Sequence, residues 1–226
     1  MRNLPRSLML FAAGFGTRMG ALTAHQPKPL IPVAGRALID HALDLTGPAG
    51  VERVVVNTHY RAAQLRAHLE GRNIAISDES DRILETGGGL RKALPLLGAG
   101  PVYTLNSDAV WTGANPLVEL SAAWDGERMQ ALLLLGRAEG IRGRKGGGDF
   151  SLNGDGRISR GGDLTYLGAQ ILCPEGLHDI DEDVFSLNRL WDAQIAAGTA
   201  YGILHEGLWC DVGHPEGIEI AEEMIR

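Results

Sequence analysis

The chain predicts an α/β fold, a mostly parallel sheet flanked by helices, and three observations carry that prediction. Short apolar runs alternate with helical patterns through the first half of the 226 residues. The runs are apolar at successive positions, as strands covered on both faces require. The first of them passes directly into a glycine loop, Gly14-Phe15-Gly16.

Taken in order, residues 8–12 read as a buried strand and 37–45 as a helix ending at Gly47-Pro48. A second strand over 51–57 and a helix over 62–69 follow, then a short strand over 74–77. Residues 90–97 are helical up to Gly98, 102–106 form another buried strand, and 116–124 a helix. The apolar run 129–135 completes the alternation that implies helices on both faces of a parallel sheet. Beyond Gly136 the texture changes, and Asn153-Gly154-Asp155-Gly156 between 150–152 and 157–159 is a hairpin signal. Residues 164–172 are strand-like, and Ser186 can cap a helix reaching Ala197. Short strands over 199–204 and 208–211 precede a last helix beginning at Pro215. The simplest account is a single domain over 1–226 with a β-rich insertion over 136–172.

Composition narrows the function. The 31 glycines are close to twice the usual share, with no Gly-X-Y period and only 10 prolines, which excludes collagen and low-complexity disorder. Such a backbone contains loops that approach something closely. Lys+Arg total 21 against 28 Asp+Glu, a net charge of -7, so neither nucleic acid nor an anionic membrane is an expected partner. A phosphate substrate would need local cations, and the chain has only three lysines, Lys28, Lys92 and Lys145. The two cysteines, Cys173 and Cys210, have no metal spacing and read as free thiols of a cytoplasmic protein. Residues 1–13, with Arg2 and Arg6, mimic a leader, but their apolar run is short and a buried strand explains it better. The seven histidines show no zinc spacing, and no Gly-x-Ser-x-Gly is present.

The densest chemistry follows the first strand. Ala12-Ala13-Gly14-Phe15-Gly16-Thr17-Arg18-Met19 can turn backbone N–H groups into one concavity, suited to phosphate, or can be a bare tight turn. The third glycine, Gly20, is one residue late for a dinucleotide fingerprint, and the second strand ends at Asn57 rather than an acid. Pro27-Lys28-Pro29-Leu30 comes next, with prolines that predict an extended strut holding Lys28 near the loop. Asp108 stands at the carboxyl end of a strand, where open α/β sheets bind ligands, or serves as a turn cap. Asp211 in Trp209-Cys210-Asp211-Val212-Gly213 could converge with it on Mg²⁺, which takes few protein ligands.

Together, the loop and Pro27-Lys28-Pro29-Leu30 resemble the opening of the sugar-phosphate nucleotidyltransferases, which join a nucleoside triphosphate to a sugar 1-phosphate and release pyrophosphate. The resemblance implies the Rossmann-like sheet of nucleotide-diphospho-sugar transferases. It also implies nucleotide contacts at Ala12, Ala13, Gly14, Gly16 and Thr17, with Arg18 on the leaving pyrophosphate and Lys28 on the reacting phosphates. It makes Asp108, in Asn106-Ser107-Asp108, and Asp211 the Mg²⁺ positions, although serine at 107 departs from the commoner glycine. Arg18, Lys28 and Asp108 are then the catalytic residues.

Glu85-Thr86-Gly87-Gly88-Gly89 reads as a flexible cap or as a nucleotide contact through Glu85, Gly87 and Gly88, with Thr86 as helix cap. Within the family this run, with Gly148-Asp149-Phe150 and the short chain, resembles the N-acetylmuramate 1-phosphate uridylyltransferases of peptidoglycan recycling. Asn106 and Asp149 are the expected substrate-side residues, with Asp163 and Tyr166 as further sugar contacts. The stretch 136–162 reads as a charged loop or a mobile flap in which Arg142, Arg144 or Lys145 reaches the sugar phosphate. Mannose 1-phosphate guanylyltransfer, glucose 1-phosphate uridylyl- or thymidylyltransfer, and a catalytically silent nucleotide-binding regulator are the alternatives. A dinucleotide-dependent dehydrogenase rests on the glycine loop alone. The expected assembly is a monomer or small homo-oligomer.

Overall fold

A computed structural model describes residues 3–226; Arg2 of the leader-like start lies outside them. The strands are β1 (Ser7–Phe11), β2 (Pro32–Val33), β3 (Arg36–Ala37), β4 (Arg53–Thr58), β5 (Ile74–Asp78), β6 (Val102–Asn106) and β7 (Ala109–Trp111). They continue with β8 (Ala131–Gly136), β9 (Ile141–Arg142), β10 (Phe150–Leu152), β11 (Ile158–Arg160), β12 (Thr165–Leu172), β13 (Ala200–Leu204) and β14 (Trp209–Asp211). The α-helices are α1 (Leu38–Asp44), α2 (Ala62–Leu69), α3 (Glu85–Leu97), α4 (Pro116–Ala123), α5 (Asn188–Ala196) and α6 (Glu216–Met224).

The central sheet has seven strands in the order β13-β8-β12-β6-β1-β4-β5. Only β12 runs against its neighbours; β1, β4, β5 and β6 pair in parallel, as do β8 and β13. Alternating side chains of each strand enter opposite cores, as the pleat dictates. Leu8, Leu10, Val54 and Val56 pack with Ile39, Leu65, Leu69, Leu117 and Leu120, so α1, α2 and α4 cover one face. Met9, Val55 and Leu133 pack with Leu90, Ala93, Leu97 and Leu190, so α3 and α5 cover the other. Continuous apolar runs are therefore what this sheet needs, since neither face meets water.

The expected insertion is narrower than 136–172. Its hairpin forms, with Phe150 opposite Arg160 across Asn153–Gly156. Thr165–Leu172, however, lies inside the main sheet between β6 and β8. An apolar run looks the same whether it joins a neighbour in sequence or crosses to the middle of a distant sheet. The other departure is the strut: Pro27 is extended, but Lys28–Leu30 form one 3-10 turn. Pro29 tolerates this because the start of a helical turn leaves its nitrogen without a hydrogen-bonding task.

A small second sheet, β7-β14-β9, stands beside the C-terminal edge of the main one. The carbonyl of Asp108 accepts the Val212 N–H at 2.9 Å, and Asp211 pairs with Ala109 across β7 and β14. Two carboxylates 103 positions apart in the chain are thereby brought to neighbouring strand ends.

Candidate active site

A cleft of about 330 Å³ opens at the carboxyl ends of β1, β4 and β6. Ala12, Ala13, Gly14, Gly16, Thr17, Arg18, Lys28, Glu85, Asn106 and Asp108 all line it. A Cβ at Gly14 would meet nothing within 4 Å, so the backbone faces open space there. Gly16 serves a different end: its φ is 64°, and a Cβ would stand 2.8 Å from Cβ of Lys28. The left-handed turn at Gly16 thus lets the lysine lie directly against the loop.

Lys28 Nζ donates to Asp108 Oδ2 at 2.6 Å, with the lysine side chain only 10% exposed. Ser107 fixes this corner by donating its hydroxyl to the Phe11 carbonyl at 2.7 Å, which ties β6 to β1. Asp211 is held above the usual carboxylate range, first by burial and then by the like charge of Asp108. The positive charges of Lys28, Arg18 and Arg144 act in the opposite sense. Asp211 itself lines neither cleft, whereas Asp108 and Gly213 line the first. Among the described residues no cluster of three or more His, Cys, Asp or Glu could hold a metal. A two-carboxylate site still fits Mg²⁺, which retains several waters in its octahedron.

Two residues missing from the expected set hold the loop from below. Asn57 Oδ1 accepts the Ala12 N–H at 2.7 Å, and Asn57 Nδ2 donates to Glu79 Oε1 at 2.7 Å. Glu79 is fully buried, and its other oxygen accepts the Leu84 N–H at 3.0 Å. The carboxylate fixes which way the Asn57 amide points, so the amide can only accept from the loop. Asn57 was legible as the end of a strand; Glu79 had no local signature at all.

Glu85 and Thr86 line the cleft, but Gly87 and Gly88 do not. Both of their N–H groups donate to the Phe185 carbonyl, at 2.8 and 3.1 Å, so neither is free for a nucleotide. They belong to α3 itself, which begins at Glu85 rather than at 90. Thr86 does not cap that helix; its hydroxyl accepts the Leu187 N–H.

A second cleft, of about 290 Å³, shares Phe11, Thr86 and Asn106 with the first. Arg144, Asp149, Phe150, Arg160, Tyr166 and Trp191 complete much of its wall. Tyr166 packs edge-on against Trp191, and burial raises its phenol well above the ordinary value. Gly168, with φ at 80°, leaves the space that the Asn106 side chain occupies. Asp163 is exposed and lines neither cleft.

Known proteins resemble this chain in sequence and in fold. Residues 8–143 match the family model described as the MobA-like NTP transferase domain. The chain is 44% identical to the N-acetylmuramate alpha-1-phosphate uridylyltransferase of Caulobacter vibrioides, over 100% of this chain and 99% of that one. It is 34% identical to the protein of the same name from Neisseria meningitidis, over 91% and 92% of the two chains. The solved structure of HddC from Yersinia pseudotuberculosis, complexed with GMP-PN, superposes with a TM-score of 0.80 at 18% identity, covering 98% and 100%. That likeness establishes the same fold. No helix among the described residues is long and apolar enough to cross a membrane. With its sheet order, its glycine loop and its full-length relatives in agreement, the chain belongs to the MobA-like NTP transferase family and is a nucleotidyltransferase.

Proposed function

We propose that the chain transfers the uridylyl group of UTP to N-acetylmuramate 1-phosphate, giving UDP-N-acetylmuramate and pyrophosphate. The observation that carries the reading is the pair of clefts joined at Phe11, Thr86 and Asn106, with Lys28 and Asp108 in the first beside that junction. One cleft accommodates a nucleoside triphosphate and the other a sugar phosphate. The full-length identity to relatives named for this substrate supports the choice of sugar.

A phosphate oxygen of the sugar 1-phosphate attacks the α-phosphorus of UTP, and the bond from that phosphorus to the bridging oxygen of pyrophosphate breaks. No general base is needed, because the second pKa of a phosphate monoester is about 6 and the nucleophile is already dianionic near neutrality. The barrier is the meeting of two anions. Lys28 neutralises charge at the reacting phosphates, Arg18 receives the departing pyrophosphate, and the amides of the Ala13–Gly16 turn orient the nucleotide. Asp108 and Asp211 would hold Mg²⁺, which supplies further charge neutralisation on the phosphates when bound. The nucleotide substrate and two free thiols support a cytoplasmic setting.

The test is pyrophosphate release by the purified protein with Mg²⁺, each of the four NTPs and a set of sugar 1-phosphates. Turnover with UTP and N-acetylmuramate 1-phosphate is the expected result. Turnover confined to GTP and mannose 1-phosphate would replace the reading with a guanylyltransferase. UTP binding by calorimetry with no turnover on any sugar phosphate would make the protein a silent regulator.

A further inference from the structure

Three cations compete for the sugar phosphate in the stretch after β8, and the fold separates them. Arg142 is turned back, its Nη1 donating to the carbonyls of Glu139 and Ile141. Lys145 is exposed and lines neither cleft. Arg144 lines the second cleft, and its Nη2 donates to Asp149 Oδ1 at 2.7 Å.

The chain path explains why the arginine is there. Gly143 has φ at 71°, and a Cβ on it would stand 2.2 Å from the Asp211 carbonyl oxygen and 3.0 Å from Cys210 Sγ. At the far end of the segment, a Cβ on Gly148 would fall 2.4 Å from the Asp163 carbonyl carbon. Glycines at both ends therefore press the segment against backbone, and the first delivers Arg144 beside Asp211. The other arginine of the cleft, Arg160, is occupied by the Asp192 carboxylate and the Asn188 carbonyl. Asp149 is also spoken for: its Oδ2 accepts the Tyr166 N–H at 2.9 Å while Oδ1 takes Arg144. That arrangement makes Asp149 a bracket between β12 and the guanidinium. With Nη2 so tied, Nη1 and Nε of Arg144 together keep three N–H donors of the kind that suits phosphoryl oxygens.

We propose that Arg144 grips the phosphoryl group of the sugar 1-phosphate in the second cleft and that Asp149 is the positioning residue that aims it. The inference rests on the reading of the chain as a sugar-phosphate nucleotidyltransferase, and it concerns the phosphate common to all such substrates. The experiment measures KM separately for UTP and for the sugar 1-phosphate in the wild type, Arg144→Ala, Asp149→Ala and the double variant. Arg144→Ala should raise KM for the sugar 1-phosphate about 10- to 100-fold, the cost of a lost hydrogen bond to a charged group, with KM for UTP held within about twofold. Arg144→Lys should recover part of the loss, since it keeps the charge without the fork. Asp149→Ala should raise the same KM less, and should add nothing once Arg144 is gone.

An unchanged KM for the sugar phosphate in Arg144→Ala, or an equal rise for UTP, overturns the assignment. Additive effects in the double variant would mean that Asp149 touches the sugar directly and is no bracket. If Asp149→Ala fails to fold, Asp149→Asn retains an acceptor for the Tyr166 N–H and serves in its place. All variants are assayed with whichever sugar 1-phosphate the wild type turns over. Inactivity toward N-acetylmuramate 1-phosphate alone thus overturns the substrate proposal and leaves this one standing, whereas inactivity toward every sugar phosphate overturns both.

Discussion

Two glycine-rich segments border the first cleft, and they do opposite things. At Gly14 an added methyl group would meet nothing within 4 Å. At Gly87, Gly88 and Gly89 it would collide with the Phe185 ring at 2.4 Å, the Asp183 carbonyl oxygen at 2.2 Å and Glu79 Oε1 at 2.7 Å. The first glycine borders open space in the cleft; the other three leave room for the protein's own chain. A close backbone approach is needed in both places, but glycine in a sequence does not say what approaches.

The sharpest way to separate the two kinds of region is to ask what a substitution damages. On the ligand side, activity should fall while the fold is retained. Lys28→Ala removes the buried cation of the cleft, and kcat/KM should drop by about 10²- to 10³-fold, the cost of deleting one preorganised charge-stabilising donor. Asp108→Ala should abolish turnover. For both variants, circular dichroism should show a folded chain, with a lowered melting temperature because each deletion leaves its partner charge unpaired. Activity within tenfold of wild type in Lys28→Ala would place the reacting phosphates elsewhere.

On the chain side the pattern should reverse. Gly88→Ala forces a methyl group into the Asp183 carbonyl, and α3 or the facing segment must shift. Overpacking of this kind costs about 1–3 kcal/mol, read from urea or thermal unfolding. An unfolding midpoint equal to wild type would show that the facing segment yields freely and that the close fit has no structural role.

The matching control is Gly14→Ala, with a smaller expected effect. Its φ is not in the left-handed region and no atom is near, so stability should change by less than about 0.5 kcal/mol. KM for UTP should rise severalfold as the methyl group enters the nucleotide's space. An unchanged KM would break the comparison, because Gly14 would then be as indifferent to ligand as to chain.

This contrast also marks what the sequence could reveal. Helix 62–69 and strand 102–106 were readable to the residue, because periodicity and a clear boundary are local properties. That the loop, Lys28 and Asp108 would share one cleft was readable because each sits at a strand end or turn with a distinctive neighbourhood. The bracket formed by Asn57 and Glu79 was not, since it is a contact across 22 positions with no spacing rule behind it. Nor was the place of β12, whose partners β6 and β8 are set by topology alone. Gly87 and Gly88 were misplaced at the nucleotide for the reason already given: their partner, Phe185, is almost a hundred positions away.

The two ends of the central strands also differ, and thiol reactivity tests that. At the end bearing Asn106 the strands open into clefts. At the opposite end Leu172 pairs with Val102, the Cys173 N–H donates to the Gln130 carbonyl at 2.8 Å, and Cys173 packs half-buried against the core. Burial, with help from the negative charge of Glu175, pushes the Cys173 thiol from 9.0 up to about 11. Raising the folded value above the unfolded one makes the thiol's contribution to stability complete below pH 9 and lost as pH climbs toward 11. A thiol raised in this way is ionised about 100-fold less at pH 8. Iodoacetamide at pH 8, followed by peptide mapping, should therefore label Cys173 far more slowly in the folded chain than in urea. Equal rates would mean that the packing around Cys173 gives its thiol no protection in the folded chain.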